Sequence, residues 1–187
     1  MNTASLQHKR YSRLNINRLG LWLFILSESG IFAALLFTRF YLLGLERASD
    51  LNQTIGLIIT SILLISSLTA YRAESAIAHE DRETFLRSIL VTILLGAAFL
   101  IGVGIEWSQA FVHFPPSGLF GTVFFTMTGM HAFHVLTGLI LLALLYSNGR
   151  REAYSVEDHW GPEAVVKYWH FVDVVWVFFY PALYLVS

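Results

Sequence analysis

Cysteine is absent from all 187 residues, which excludes disulfides, iron–sulfur clusters and thiolate metal sites and leaves the redox compartment unread. Charge is scarce too. Only 13% of the residues are Asp, Glu, Lys or Arg, where a soluble domain carries roughly 25%. The formal net charge is −1, so there is no electrostatic basis for nucleic-acid binding. No internal repeat, low-complexity tract or long linker divides the chain. What is present is apolar: 56% hydrophobic residues, with aromatics at 15%. This composition is that of a membrane protein.

Five apolar runs are long enough to cross a bilayer, whose core takes about 20 helical residues. They lie at about residues 19–43, 54–71, 88–106, 119–146 and 164–186. The reading is an all-α, polytopic five-helix bundle: a polar arm at 1–18, then one transmembrane domain over 19–187. The first run is too long for a signal-peptide core, contains Glu28 and lacks a small-residue cleavage site, so it is expected to stay as a span. Residues 27–30, Ser-Glu-Ser-Gly, interrupt it near mid-depth. Residues 72–87 read as a solvated helix–helix connection, and 147–163 as a mixed-charge loop. Ten of the twelve basic residues fall before span one or within or flanking those two connections; only Arg39 and Arg47 fall on the other side. The positive-inside rule then places the N-terminus in the cytoplasm and, after five spans, the C-terminus outside. Trp160, Tyr168 and Trp169 at one end, and Trp107 at the other, suit interfacial belts.

The polar residues inside the spans are the candidates for function. In the last run Trp169, Asp173, Trp176 and Tyr180 recur at spacings of 4, 3 and 4, so they share one helix face. A carboxylate turned to lipid costs about 2.5–3.5 kcal/mol on insertion scales, so that stripe faces protein, a polar ligand or water. Glu28 has two readings: a packing site with a neutral, hydrogen-bonded carboxyl, or a contact for a proton or a lipid headgroup. Glu106, at the end of the third run beside Trp107, reads as interfacial and solvated. His131 and His134 stand at i,i+3 in span four, with His170 in span five. Haem ligation by two histidines needs one on each of two facing helices at matched depth. His170 lies close to its helix entry and His131 near mid-depth, so hydrogen bonding between helices is the expected role. Gly118, Gly121, Gly129 and Gly138 would let neighbouring backbones approach span four closely.

Several segments resemble the cytochrome c oxidase subunit III family. GMHAFHVLTG at 129–138 is similar to that family's GxHGxHVxxG helix, and YWHFVDVVW at 168–176 to its closing helix. LWLFILSESGIF at 21–32 resembles its LFIxSE helix, which places the family's membrane glutamate at Glu28. Glu106 matches a helix-end carboxylate, and His159 with Glu163 matches an HxGxE segment before the last helix. The chain departs from the family in lacking the first two of seven helices found in many members, and so resembles the five-helix bacterial form. Arg72-Ala73-Glu74-Ser75-Ala76 also stands where the family has Ala-His-His-Ala.

The resemblance implies a non-catalytic subunit of a respiratory haem–copper oxidase in the cell (inner) membrane. No redox centre is expected in this chain, haem and copper belonging to partner subunits. It implies packing on subunit I, contact with subunit II, bound phospholipid, and support of proton uptake and durability during oxygen reduction. Glu28 and His170 would line an interior cleft, and Arg150 or Arg151 would hold a lipid phosphate at a cytoplasmic helix end. A quinol oxidase subunit III, or an accessory subunit of nitric oxide reductase, is the alternative within the family. A small proton-coupled transporter using Glu28 and Asp173 is the alternative outside it, though no pair of broken helices repeats in the two halves.

Overall fold

The computed structural model describes residues 13–45, 51–155 and 159–186. These form five helices: α1 Arg13–Leu43, α2 Gln53–Ala78, α3 Arg82–His113, α4 Leu119–Arg150 and α5 Trp160–Tyr180. A π-helical turn, Pro181–Leu185, continues α5. Helices α1 to α4 are each long and apolar enough to cross a membrane. Helix α5 is shorter and carries Glu163, Lys167 and Asp173. It tolerates them because ten of its residues are buried against α1, α2 and α4, so protein rather than lipid is its main surroundings.

The helices run past the apolar spans. Residues 72–78 belong to α2 and 82–87 to α3, so the expected connection shrinks to 79–81. Ala, Glu and Arg favour helix, and nothing in 72–78 breaks it. Asn52 caps α2, its Oδ1 accepting from the N–H groups of Thr54 (3.1 Å) and Ile55 (3.2 Å). Asp81 caps α3 through the Thr84 N–H at 3.0 Å. At the end of α2, Asp81 N–H bonds Ala76 O and Glu80 N–H bonds Ile77 O, a Schellman closure with Glu80 left-handed at φ 61°. The same closure ends α4, with Glu152 at φ 59°. Helix α1 is not interrupted at 27–30. The Ser27 and Ser29 hydroxyls donate back to the Phe24 and Ile25 carbonyls, both at 2.7 Å, and keep their polarity inside the helix.

Helices α2 and α3 form the tightest pair, α4 packs on α3, and α5 closes against α2 and α4. Helix α1 touches only α4 and α5 to any extent, and of its 31 residues Ile25, Phe32 and Arg39 alone are buried. Trp169 lies at the centre of the bundle between Gly96 of α3 and Gly138 of α4, where an added Cβ would come within 2.6 and 2.8 Å of the indole. Tyr168 and Trp169 are therefore core residues, not members of an interfacial belt. The glycines are what make room for so large a side chain.

Candidate functional site

The polar residues inside the bundle sort into four groups, each set by which helix faces which. The first joins α1 to α4. Glu28 Oε2 lies 3.1 Å from His134 Nε2, and His134 Nδ1 lies 2.8 Å from the Met130 carbonyl. A carbonyl only accepts, so Nδ1 carries a proton. Nε2 then either accepts from a protonated Glu28 or, in the imidazolium, donates to the carboxylate. The pair holds one proton between Nε2 and Oε2 in both cases. The partner of Glu28 is thus a histidine of another helix, not its neighbouring serines.

The second group runs along the seam between α2 and α5. Trp169 Nε1 donates to Ser66 Oγ at 3.0 Å, and Trp176 Nε1 donates to Thr60 Oγ1 at 2.9 Å. His170 Nδ1 and Ser67 Oγ are 2.6 Å apart. The two helices are antiparallel, so a seven-residue step on α5 meets about two turns back on α2. Asp173 is buried in the same stripe, with neither oxygen hydrogen-bonded among the described residues. His131 is fully buried, neither ring nitrogen hydrogen-bonded among the described residues, with ring centroids 4.7 Å from Trp176 and 5.6 Å from Phe99. His131 packs against α5 and α3, whereas His170 bonds to α2. Among the described residues no group of three or more His, Asp or Glu side chains is arranged to hold a metal.

The third group closes the end of the bundle opposite the basic connections. Glu106 is 2% exposed and accepts from the Tyr184 hydroxyl at 2.6 Å, which corrects its reading as a solvated helix end. Helix α3 continues seven residues beyond it, and the π turn brings Tyr184 over it. Arg39, counted from sequence only as an outer charge, is completely buried. Its Nε donates to Ala182 O at 2.6 Å and its Nη1 to Gly44 O at 2.5 Å. A lone arginine one turn from the end of an apolar helix is the signal that marks it.

The fourth group lies at the basic end. Arg18 grips Glu163 with both nitrogens, Nε at 3.0 Å and Nη2 at 2.9 Å, and Lys167 also donates to Glu163. Burial pushes the Glu163 carboxyl up, but Arg18 and Lys167 outweigh it and hold the group below the ordinary carboxylate range. His159 precedes α5, its carbonyl accepting the Glu163 N–H at 3.1 Å. Arg150 and Arg151 are exposed beside Tyr146 and Ser147, far from Glu28 in the fold.

Among the described residues these polar groups interlock the helices. Comparison with known proteins agrees in extent. The family model for cytochrome c oxidase subunit III matches residues 3–187. A cytochrome c oxidase subunit 3 of Rhipicephalus sanguineus is 36% identical over 185 residues, covering 91% of this chain and 71% of that protein. Those of Dugong dugon and Gadus morhua are 33% and 34% identical over 180 residues, each covering 89% of this chain and 68% of the relative.

Proposed function

The chain belongs to the cytochrome c oxidase subunit III family, and from that premise we propose that it is the non-catalytic subunit III of a respiratory haem–copper oxidase. It packs on subunit I in the inner membrane, N-terminus in the cytoplasm, retains phospholipid, and supports proton uptake and the durability of the oxygen-reducing subunit. Arg150 and Arg151 hold a lipid phosphate at the cytoplasmic face. The observation that carries this reading is the Glu28–His134 contact. It fastens α1, the least buried helix, to the rest of the bundle, and leaves the outer face of α1 apolar for lipid or a partner subunit. Trp22, Leu23, Leu26 and Phe37 are all more than half exposed there.

The test is replacement of Glu28 in the whole complex. Gln keeps the size and can donate an amide N–H to His134 Nε2, so Glu28→Gln should preserve assembly and most oxygen reduction. Glu28→Ala leaves His134 Nε2 unpaired, at about 1–3 kcal/mol for a buried polar group, and opens a gap. It should loosen subunit association and hasten loss of activity during turnover. Oxygen consumption and proton release by reconstituted complexes are the measurements. A Gln variant that assembles fully but does not turn over would make Glu28 an obligatory proton carrier and overturn the structural role. The proteins that co-purify in mild detergent, with the haem spectrum of that complex, identify the electron donor.

A further inference from the structure

On the basic end of the bundle, the seam between α2 and α3 opens into a pocket of about 250 Å³ lined by Thr69, Arg72, Thr84, Arg87, Ser88 and Val91. Thr69 and Arg72 are three apart on α2; Thr84, Arg87, Ser88 and Val91 follow at three and four on α3. Each set therefore occupies one helix face, and the two faces meet across the seam. Arg72 and Arg87 line it from different helices; of the lining hydroxyls, that of Thr69 is committed to Ser66 O and Thr92, and that of Thr84 to Asp81. Among the described residues Arg72 makes no hydrogen bond or ion pair, and its charge acts on Asp81. Arg87 meets Glu83 one turn back on its own helix, with both side chains about three-quarters exposed, a pairing that solvent makes weak. Asp81, in the α2–α3 connection, spends its Oδ1 capping α3. Its carboxyl is held below the usual range, first by hydrogen bonds from Thr84 and then by the field of Arg72 and Arg87. No carboxylate lines the pocket itself.

We propose that this pocket binds a phosphate group, carried by an anionic membrane phospholipid or by a free phosphate ion. Two planar guanidinium groups match phosphate oxygens. The pocket lining carries two cationic and no acidic side chains, so a singly anionic head is preferred. The surroundings fit a lipid source. Val91 forms the apolar edge, and Ile65, Leu68 and Leu94 continue the seam as exposed apolar surface along which an acyl chain can lie. The site lies at the level where the apolar spans give way to polar helix, where anionic headgroups sit. It shares no residue with the Arg150–Arg151 pair and does not depend on the oxidase reading.

The experiment uses the full chain, delipidated in detergent, titrated with phosphatidylglycerol, phosphatidylcholine of the same chain length and inorganic phosphate. Bound copies are counted by native mass spectrometry. Wild type should bind phosphatidylglycerol about tenfold or more tighter than phosphatidylcholine, and Arg72→Gln/Arg87→Gln should lose about that factor. Arg72→Gln alone should show an intermediate loss, with the helix content of the purified chain unchanged. Arg150→Gln/Arg151→Gln should leave the α2–α3 site intact. Phosphatidylglycerol bound more tightly than inorganic phosphate upholds the proposal with lipid as the source. Inorganic phosphate bound as tightly, and lost in the same variants, upholds it with the free ion as the source. Phosphatidylglycerol and phosphate binding that are unchanged in the double variant, or absent from wild type, overturn it.

Discussion

Arg39 is completely buried in α1. A charge buried in a bilayer-spanning helix is costly unless its donors are used, and here they cap two backbone carbonyls, Ala182 O and Gly44 O. The first belongs to the π turn that Pro181, lacking an N–H, helps to start. Arg39→Leu removes both bonds, each at about 1–3 kcal/mol, and should lower the thermal midpoint of the purified chain sharply. Arg39→Lys should fall between the two, since an ammonium on a flexible stem reaches one carbonyl well but lacks the fork. An unchanged midpoint for the Leu variant would show that the π turn stands without its cap. Glu28 follows the same logic in the other half of α1, where the choice of partner decides the role of the residue.

At the scale of elements, the contact between α1 and α5 depends on charge at its basic end and on aromatic packing at its middle. Arg18 and Lys167 converge on Glu163, and Phe32 meets Phe171 and Phe179 edge to face at 5.9 and 5.7 Å. Because the folded state depresses the Glu163 carboxyl, the stability it contributes is present above the ordinary carboxylate value of 4.5 and is lost as pH falls through the lower, folded value. Wild type should therefore be more heat-resistant than Glu163→Gln at pH 7, and the gap should close below pH 4.5. A scan of thermal midpoints from pH 7 to pH 3.5, with both proteins in one detergent, checks the sign. A gap that widens on acidification would mean that burial, rather than the two cations, dominates Glu163.

For the whole molecule, the question is what the bundle can do alone. Its inner histidines are committed: His134 to Met130 and Glu28, and His170 to Ser67, while His131 is enclosed by Trp176 and Phe99. Turning any of them onto an iron would require rotating a helix against glycine-tight contacts such as those around Trp169. The correctly inserted chain by itself should show no stoichiometric haem band. The complex it co-purifies with should show one that stays with the other subunits when this chain is removed by detergent. A haem band following this chain would refute the assignment of redox centres to its partners.

Much of this was legible in the sequence. Apolar run length and the motifs at 21–32, 129–138 and 168–176 are properties of local sequence, and they identified a helical membrane bundle and its family. The Trp169–Asp173–Trp176 stripe also reads correctly as inward-facing, because helical spacing sets a face without reference to neighbours. Helix ends and partners did not follow in the same way. Helices α2, α3 and α4 outlast their apolar cores because polar helix formers continue the backbone ladder where hydropathy has already fallen. Partners depend on how each helix is rotated and slid against the next. A step of one residue turns a helix by about 100°, and a shift of one turn is about 5.4 Å. Sequence thus marked Glu28, Glu106 and Arg39 as polar groups in apolar helices. Only the packed bundle decided that they meet His134, Tyr184 and the carbonyl of Ala182, because burial forces each to pair with whatever the neighbouring helix presents at that depth.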